Sequence, residues 1–318
     1  MKRRFFRAQI PWLTTIAVLI VFYAGASIRF REDHFFSWPV FVNLLRDNSF
    51  LGLAAIGMTF VILSGGIDLS VGAMIGFTSV LVARLMGQHV PPLIAIAVAL
   101  AVGTGFGCCL GAVIRFAALP PFLVTLAGMF FVRGLGQVVS LESITIQHGF
   151  YDAISDFSLR VFPVTAMLFL AALIVAMYVA RYTPFGRAVY AIGGNEQSAM
   201  LMGLAVGRTK VGLYALSGFC SALAGVTYTF YTSSGSATAG TMLELDAIAA
   251  VVIGGTPLSG GVGNIFGTLI GVLILGVIQT IITFEGTLSS WWTKIAVGVL
   301  LLAFILLQRF LQSRTAKR

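Results

Sequence analysis

An all-α protein that crosses a membrane many times is the fold class this sequence predicts, on three observations. Hydrophobic residues make up 58% of the chain and charged residues only 10%. Mean hydropathy is +0.98, well outside the soluble globular range. Apolar runs of about 20 residues recur between short polar breaks, the length a helix needs to cross a hydrocarbon core. In lipid every backbone N–H and C=O must be satisfied inside its own segment, so these runs read as spanning helices and not as core strands.

The first run follows KRRFFR and contains the small triplet Ala24, Gly25 and Ala26. It looks like a signal peptide, but it is longer than an ordinary apolar signal core and is read as an uncleaved span. Spans are predicted near residues 11–28, 43–63, 67–86, 92–114, 122–141, 163–180, 211–232, 244–257, 262–284 and 292–308, about ten in all. The eighth is short and ends in the breaker Gly254-Gly255-Thr256-Pro257, so a re-entrant segment is its alternative. Basic residues weigh on the count. With an even number of crossings and both termini cytoplasmic, the inside carries most of the 20 basic residues, from Lys2 and Arg3 through Arg181 and Lys210 to Lys317 and Arg318. An odd number would put the C-terminal basic cluster outside, against the positive-inside bias. The net charge of +9 is read as this orientation signal, and nucleic acid is not expected as a partner.

Small residues recur at every fourth position at Gly72 and Gly76, at Gly103, Gly107 and Gly111, and at Gly267 and Gly271. Such stripes let helix backbones approach closely, either inside the bundle or, less readily, at a dimer contact. LSGGIDLSVGAMIG (63–76) is echoed by LSGGVGNIFGTLIG (258–271), and LAAI (53–56) by LDAI (245–248). Both copies fall at cytoplasmic turns, which suggests a two-half pseudo-repeat about an axis along the membrane normal.

Catalytic chemistry finds no foothold. The spans lack paired acid and base, an activated nucleophile and metal-ligand spacing. Cys108, Cys109 and Cys220 lie in apolar runs and read as buried small hydrophobes, while His34, His89 and His148 fall in loops. No G-x-x-x-x-G-K-[ST] occurs, so ATP would have to be bound by a separate polypeptide, and no cofactor is expected in this chain. Acids near membrane depth reduce to Asp68 and Asp246, with Glu244 at an edge. Asp68 sits where it would cap the N-terminus of the third span, a reading compatible with a place on a translocation path. Arg133 falls inside the fifth span and should face a carboxylate or water, as a gating or structural salt bridge more readily than as a substrate contact. Ser233-Ser234-Gly235-Ser236 reads as a loop.

The longest cytoplasmic polar stretch is RYTPFGRAVYAIGGNEQSAMLMGLAVGRTK, about residues 181–210. There Pro184 and Gly186 stop one helix, Gly193 and Gly194 turn the chain, and Asn195 caps a short surface helix running to about Gly203. That shape suits transmission of a push from a soluble partner.

With these motifs in view, nearly the whole chain resembles the ribose/galactose class of ABC sugar-importer permeases. The carrying segments are GMTFVILSGGIDLSVG, PPFLVTLAGMFFVRG, FGRAVYAIGGNEQSAMLMG and ELDAIAAVVIGGTPLSGGVGNIFGTLIGVLILG. Within the class, ESITIQ and GTLSSWWTKIAVG are most similar to one of the two permeases of the bacterial galactofuranose importer. The resemblance implies a single transmembrane permease domain over residues 1–318 in the bacterial inner membrane. Its implied partners are a tandem ATP-binding subunit, a second similar permease and a periplasmic sugar-binding protein. It implies that Arg187, Asn195, Glu196 and Gly203 lie in the loop docking on the ATPase. It also implies that Ser64, Gly65, Gly66, Asp68 and Ser70 belong to the family signature near the translocation path, to which the intramembrane Arg133 and Asp246 are added. One departure stands: the wider importer pattern has E-A-A, three residues, then G, whereas Glu196-Gln197-Ser198 is followed by four residues before Gly203.

A neutral sugar would need hydroxyls and aromatic faces along its path, for which Ser64, Ser70, Thr78, Tyr228, Tyr231 and Thr232 are candidates. The alternative function is an ion-coupled secondary sugar transporter, with Asp68 and Asp246 carrying the ion.

Overall fold

The computed structural model describes residues 2–160, 162–287, 289 and 291–316. Lys317 and Arg318 of the basic set, and Leu288 and Ser290 of the GTLSSWWTKIAVG segment, lie outside the described residues. Helix accounts for 77% of the chain and the two strands are two residues each, so the all-α expectation holds. The helices are α1 (Lys2–Arg29), α2 (Trp38–Asp47), α3 (Ser49–Leu63), α4 (Val71–Gly87), α5 (Pro92–Phe116), α6 (Pro121–Val139), α7 (Gly149–Arg160), α8 (Val164–Tyr182), α9 (Pro184–Gly194), α10 (Glu196–Leu201), α11 (Val206–Thr232), α12 (Leu243–Ile253), α13 (Ile265–Glu285) and α14 (Trp291–Ala316). Strands β1 (Ile144–Thr145) and β2 (Ser234–Gly235) pair antiparallel.

Five helices among the described residues, α5, α6, α8, α11 and α13, are long and apolar enough to cross a membrane. A sixth crossing results if α2 and α3, bent by 53° at their junction, form one span. The bend has a local cause. Asn48 donates its side-chain amide to Leu44 O at 2.9 Å, and Ser49 donates its hydroxyl to Arg46 O at 2.7 Å. Carbonyls released by the kink are thereby satisfied inside the protein. Thr14–Arg29, Val71–Gly87 and Trp291–Leu306 are shorter apolar helical stretches.

The bundle is built around α11. Gly103, Gly107 and Gly111 of α5 meet Ala222 and Gly218, Tyr214 and Val211 in that descending order, so α5 runs antiparallel to α11. A Cβ at Gly107 would lie 2.1 Å from the carbonyl oxygen of Tyr214. The other two stripes behave alike: Gly72 and Gly76 face the backbone of residues 237–240, and Gly267 and Gly271 face Gly254 and Ala250 of α12. All three stripes are thus used for close packing inside the bundle. Of the cysteines only Cys220 is buried. Cys109 is exposed on the outer face of α5, which corrects its reading as a buried hydrophobe; an apolar face toward lipid accepts a thiol as readily as a core does.

Two caps mark opposite ends of α11, a helix about 40 Å long. At its start Lys210 pairs with Glu196 of α10 at 2.7 Å, and near its finish Thr229 hydrogen-bonds Tyr151 of α7 at 2.8 Å. The α9/α10 end also receives the start of α13, since the Tyr190 hydroxyl donates to Gly263 O at 3.0 Å. Thr15 of α1 donates to Ile253 O, and Arg29 lies 3.4 Å from Glu285, so α1 runs parallel to α13.

Both echoed segments lie at the α9/α10 end and touch. Gly261 N donates to Leu63 O at 2.9 Å, and a Cβ at Gly260 would meet Gly65 N at 2.6 Å. In each copy a left-handed glycine closes the preceding helix: Gly65 N bonds Ile62 O and Gly66 N bonds Val61 O after α3, while Gly255 N bonds Val252 O and Thr256 N bonds Val251 O after α12. This is the Schellman closure. The second copy differs in stopping earlier, because the Gly254-Gly255 turn and Pro257 end α12 before its LSGG is reached. With 11 residues, about 16 Å, α12 is half the length a hydrocarbon core demands.

Candidate functional site

Three polar constellations lie along the inner elements, and the first surrounds Asp68. The chain leaves α3 at Leu63, runs unwound through Ser64, Gly65, Gly66 and Ile67, and re-enters helix at Val71. Asp68 is 2% exposed. Its Oδ1 accepts from Ser70 N at 2.9 Å and from Ser70 Oγ at 2.6 Å, and its Oδ2 accepts from Ser217 Oγ of α11 at 2.7 Å. The residue flanking α4 is Ser70, which makes no side-chain cap bond. Asp68 nonetheless accepts the N–H of Ser70, whose backbone is already helical, and so satisfies a free amide at the entry to α4 as expected. Through Ser217 it also ties the entry of α4 to α11. The hydroxyl of Tyr214 is buried beside Gly66 with no hydrogen-bond partner among the described residues. Ser64 donates to Val61 O, and Gly65 is exposed.

The second constellation is the first turn of α12, where Glu244 and Asp246 stand at a helix N-terminus whose dipole favours anions. Each faces a cation on another helix. Lys294 of α14 contacts Asp246 at 2.5 Å, and Arg133 of α6 lies 3.9 Å from Glu244. Arg133 thus faces a carboxylate, as its depth requires. Glu244, expected at an edge, is 7% exposed, held in a recess that the missing side chain of Gly72 leaves open.

The third constellation is the α9/α10 end. Asn195 accepts from Ser198 N at 2.7 Å and caps α10, as expected. The stretch holds two helices, not one. α8 ends at Tyr182 and Pro184 begins α9, with Thr183 accepting from Gly186 N. The stop expected at Pro184 stands, since α8 ends at Tyr182, but Gly186 lies inside α9 and ends no helix; proline fits the first helical turn of α9 because no amide bond is lost there. Gly193 and Gly194 correspondingly end α9. Gly193 lies against Leu63 O and Gly261 N, so α9 is seated on both echoed loops. Tyr190 is held there by its bond to Gly263, and burial raises the pKa of its phenol. Gly203, left-handed at φ +80°, closes α10. Arg187 and Glu196 are exposed.

Sequence reasoning missed Ser217, Tyr214, Lys294 and the apolar tip of α10, where Met200, Leu201 and Met202 are 60%, 89% and 69% exposed. Only the tip had a legible signal, three large apolar residues in an otherwise polar loop. Of the proposed sugar contacts, Ser70 is engaged with Asp68, and Thr78 is fully buried and bonded to Met74 O. Tyr228 packs on Phe50, and Thr232 donates to Tyr228 O. Tyr231, 41% exposed, stacks under the Arg46 guanidinium. Asp68 and Asp246 both have close donors already, so neither is a free carboxylate for a transported ion.

Five or six helices among the described residues, long and apolar enough to cross a membrane and packed around an unwound, hydrogen-bonded break, fit a multi-pass membrane protein. The chain belongs to the family described as branched-chain amino acid transport system / permease component, whose pattern matches residues 40–305. It is 49% identical over 309 residues to the inner membrane ABC transporter permease protein YjfF of Escherichia coli (strain K12), covering 95% of this chain and 93% of that one. It is 43% identical to the ribose import permease protein RbsC of Bacillus subtilis (strain 168), over 84% of each chain. Against the fructose import permease protein FruG of Bifidobacterium longum (strain NCC 2705) identity is 34%, over 95% and 92%. No solved structure matches the chain.

Proposed function

We propose that this chain is the transmembrane subunit of an ATP-driven importer of a sugar, in the bacterial inner membrane, and that it couples to a separate ATPase through α9 and α10. The reading rests above all on α10. A six-residue helix standing outside the bundle exposes Met200, Leu201 and Met202 together, an apolar tip of the kind a soluble partner covers. A sugar is favoured over other cargo by the names of the relatives, two of which import ribose and fructose, and by the pairing of the inner acids Glu244 and Asp246 with Arg133 and Lys294. Galactofuranose is the specific sugar proposed, on the ESITIQ and GTLSSWWTKIAVG segments. The partners proposed are a tandem ATP-binding subunit, a second similar permease and a periplasmic sugar-binding protein.

About ten crossings are proposed, with α2–α3 as one, α12 together with residues 233–242 as another, and both termini on the cytoplasmic side with α9 and α10. The basic residues beside α9 and α10 support that sidedness. ATP binding and hydrolysis in the partner would then move α9 against the two LSGG loops and open the bundle to one face at a time. In the complex reconstituted with its ATPase and binding protein, Glu196→Ala, Gly203→Ala and Leu201→Asp are each expected to lower sugar-stimulated ATP hydrolysis at least tenfold. Unchanged stimulation in all three would remove the coupling assignment.

A further inference from the structure

Between α11 and α12 the chain turns back along α4 instead of crossing as helix. Gly235 lies against Ser79 and Ala83, Ala237 and Ala239 against Gly76, and Gly240 against Gly72. The segment therefore descends beside α4 for about 16 Å, from the β1/α7 cap toward the level of Asp68. Its composition alternates. Gly235, Ala237 and Ala239 are buried on α4, while Ser234, Ser236, Thr238 and Thr241 face away, with Thr238 and Thr241 exposed.

Two features set this face apart from the lipid-facing surface. Residues 237–242 are a run of turns, and irregular backbone at membrane depth is tolerated only where protein buries it or water bathes it. The segment is also bracketed by two strained residues, Ser233 at φ +49° and Met242 at φ +66°, a kind of strain that persists at functional sites. At its inner end Glu244 Oε2, in a residue 93% buried, and Arg133 Nη2 form an ion pair at 3.9 Å, too long for a hydrogen bond, so neither atom has a hydrogen-bond partner among the described residues.

We propose that the outward face of residues 234–241 is a wall of the water-filled sugar path, and that the hydroxyls of Ser236, Thr238 and Thr241 exchange hydrogen bonds with the passing sugar. This rests on the permease reading and names its contact surface. The hydroxyls suit the task because their bonds stay within the strip: Ser236 and Thr238 bond each other at 2.9 Å, Ser236 Oγ also accepts from Thr238 N at 3.3 Å, and Thr241 donates to Thr238 O at 2.7 Å. A hydroxyl is both donor and acceptor, so a sugar hydroxyl can replace any of these bonds without leaving a polar group bare.

The test is thiol labelling of the full complex in proteoliposomes. Thr238→Cys and Thr241→Cys are exposed to the membrane-impermeant 2-sulfonatoethyl methanethiosulfonate, with modification read peptide by peptide by mass spectrometry so that the native cysteines can stay. Ile174→Cys, on the exposed middle of α8, is the lipid-facing control. Both threonine positions are expected to label at least tenfold faster than the control. Labelling should slow when whichever of D-ribose, D-fructose and D-galactose is transported is supplied with binding protein and MgATP. Labelling as slow as the control with uptake intact would overturn the proposal, as would fast labelling that the transported sugar leaves unchanged. Cross-linking of Thr238→Cys between two permeases, without reagent access, would make the strip a subunit seam and overturn it too. Uptake that proceeds without the ATPase would instead sink the permease reading itself, whatever the labelling.

Discussion

Asp68 is a carboxylate whose charge is met by one amide and two hydroxyls. A hydrogen bond of this kind is worth about 0.5–3 kcal/mol, and loss of one leaves a buried carboxyl oxygen without its donor. Ser217→Ala should therefore lower the thermal midpoint of the detergent-purified chain by several degrees, at about 2–4 °C per kcal/mol for a chain of this size. Tyr214→Phe is the internal contrast: it removes a buried hydroxyl that has no partner among the described residues and should leave the midpoint unchanged or raise it. A large drop for Tyr214→Phe, or none for Ser217→Ala, would contradict this account of the break. Asp68 was conspicuous in the sequence because an acid between two apolar runs is costly. Ser217 was not, since a serine in the Ser/Gly/Ala-rich α11 carries no mark of what it faces. Which helix face meets the break depends on the rotation of α11, a property of the packed bundle and not of any local pattern.

At the scale of elements, α5 offers the sharpest test of how the helices adhere. Gly107 has no room for a side chain, its Cβ falling 2.1 Å from Tyr214 O, whereas Gly105 two residues away meets nothing within 4 Å. Helix association in lipid gains no hydrophobic drive, so it depends on such close backbone contact. Gly107→Val should push α5 off α11 and reduce the yield of monodisperse protein on size-exclusion chromatography severalfold, while Gly105→Ala should match the unaltered chain. Equal behaviour of the two would mean that the stripe does not seat the helix. The stripes were legible because spacing alone puts small residues on one face. Several boundaries were not. The seventh span is expected from residue 211 and α11 begins at Val206, because the charges of Arg208 and Lys210 end the apolar run without ending the helix. Strand β2 and the turns after it read as a plain loop, since their descent along α4 is set by glycines on the neighbouring helix and leaves only a faint alternation in the segment itself.

Over the whole molecule, three loops far apart in the chain converge at one end. Leu63 O receives Gly261 N, Gly193 is wedged against both, and Tyr190 of α9 holds Gly263. Under the proposed coupling, a displacement of α9 would reach at once the end of α3 and the start of α13, the two elements that lead to the Asp68 break and away from the α12 turn. A rigid contact of this kind can bias a two-state bundle only if the bonds across it persist through the motion. Tyr190 is the bond most easily removed without disturbing the packing, for Tyr190→Phe keeps the ring and deletes one neutral hydrogen bond, worth about 1 kcal/mol net. The variant should assemble normally and keep basal ATP hydrolysis, while sugar-stimulated hydrolysis and sugar uptake fall together by severalfold. Loss of basal hydrolysis as well would mean that Tyr190 supports docking of the ATPase and not transmission beyond it. Full stimulation in the variant would mean that the push travels by the Gly193 contact alone, and the phenol would have no part in coupling.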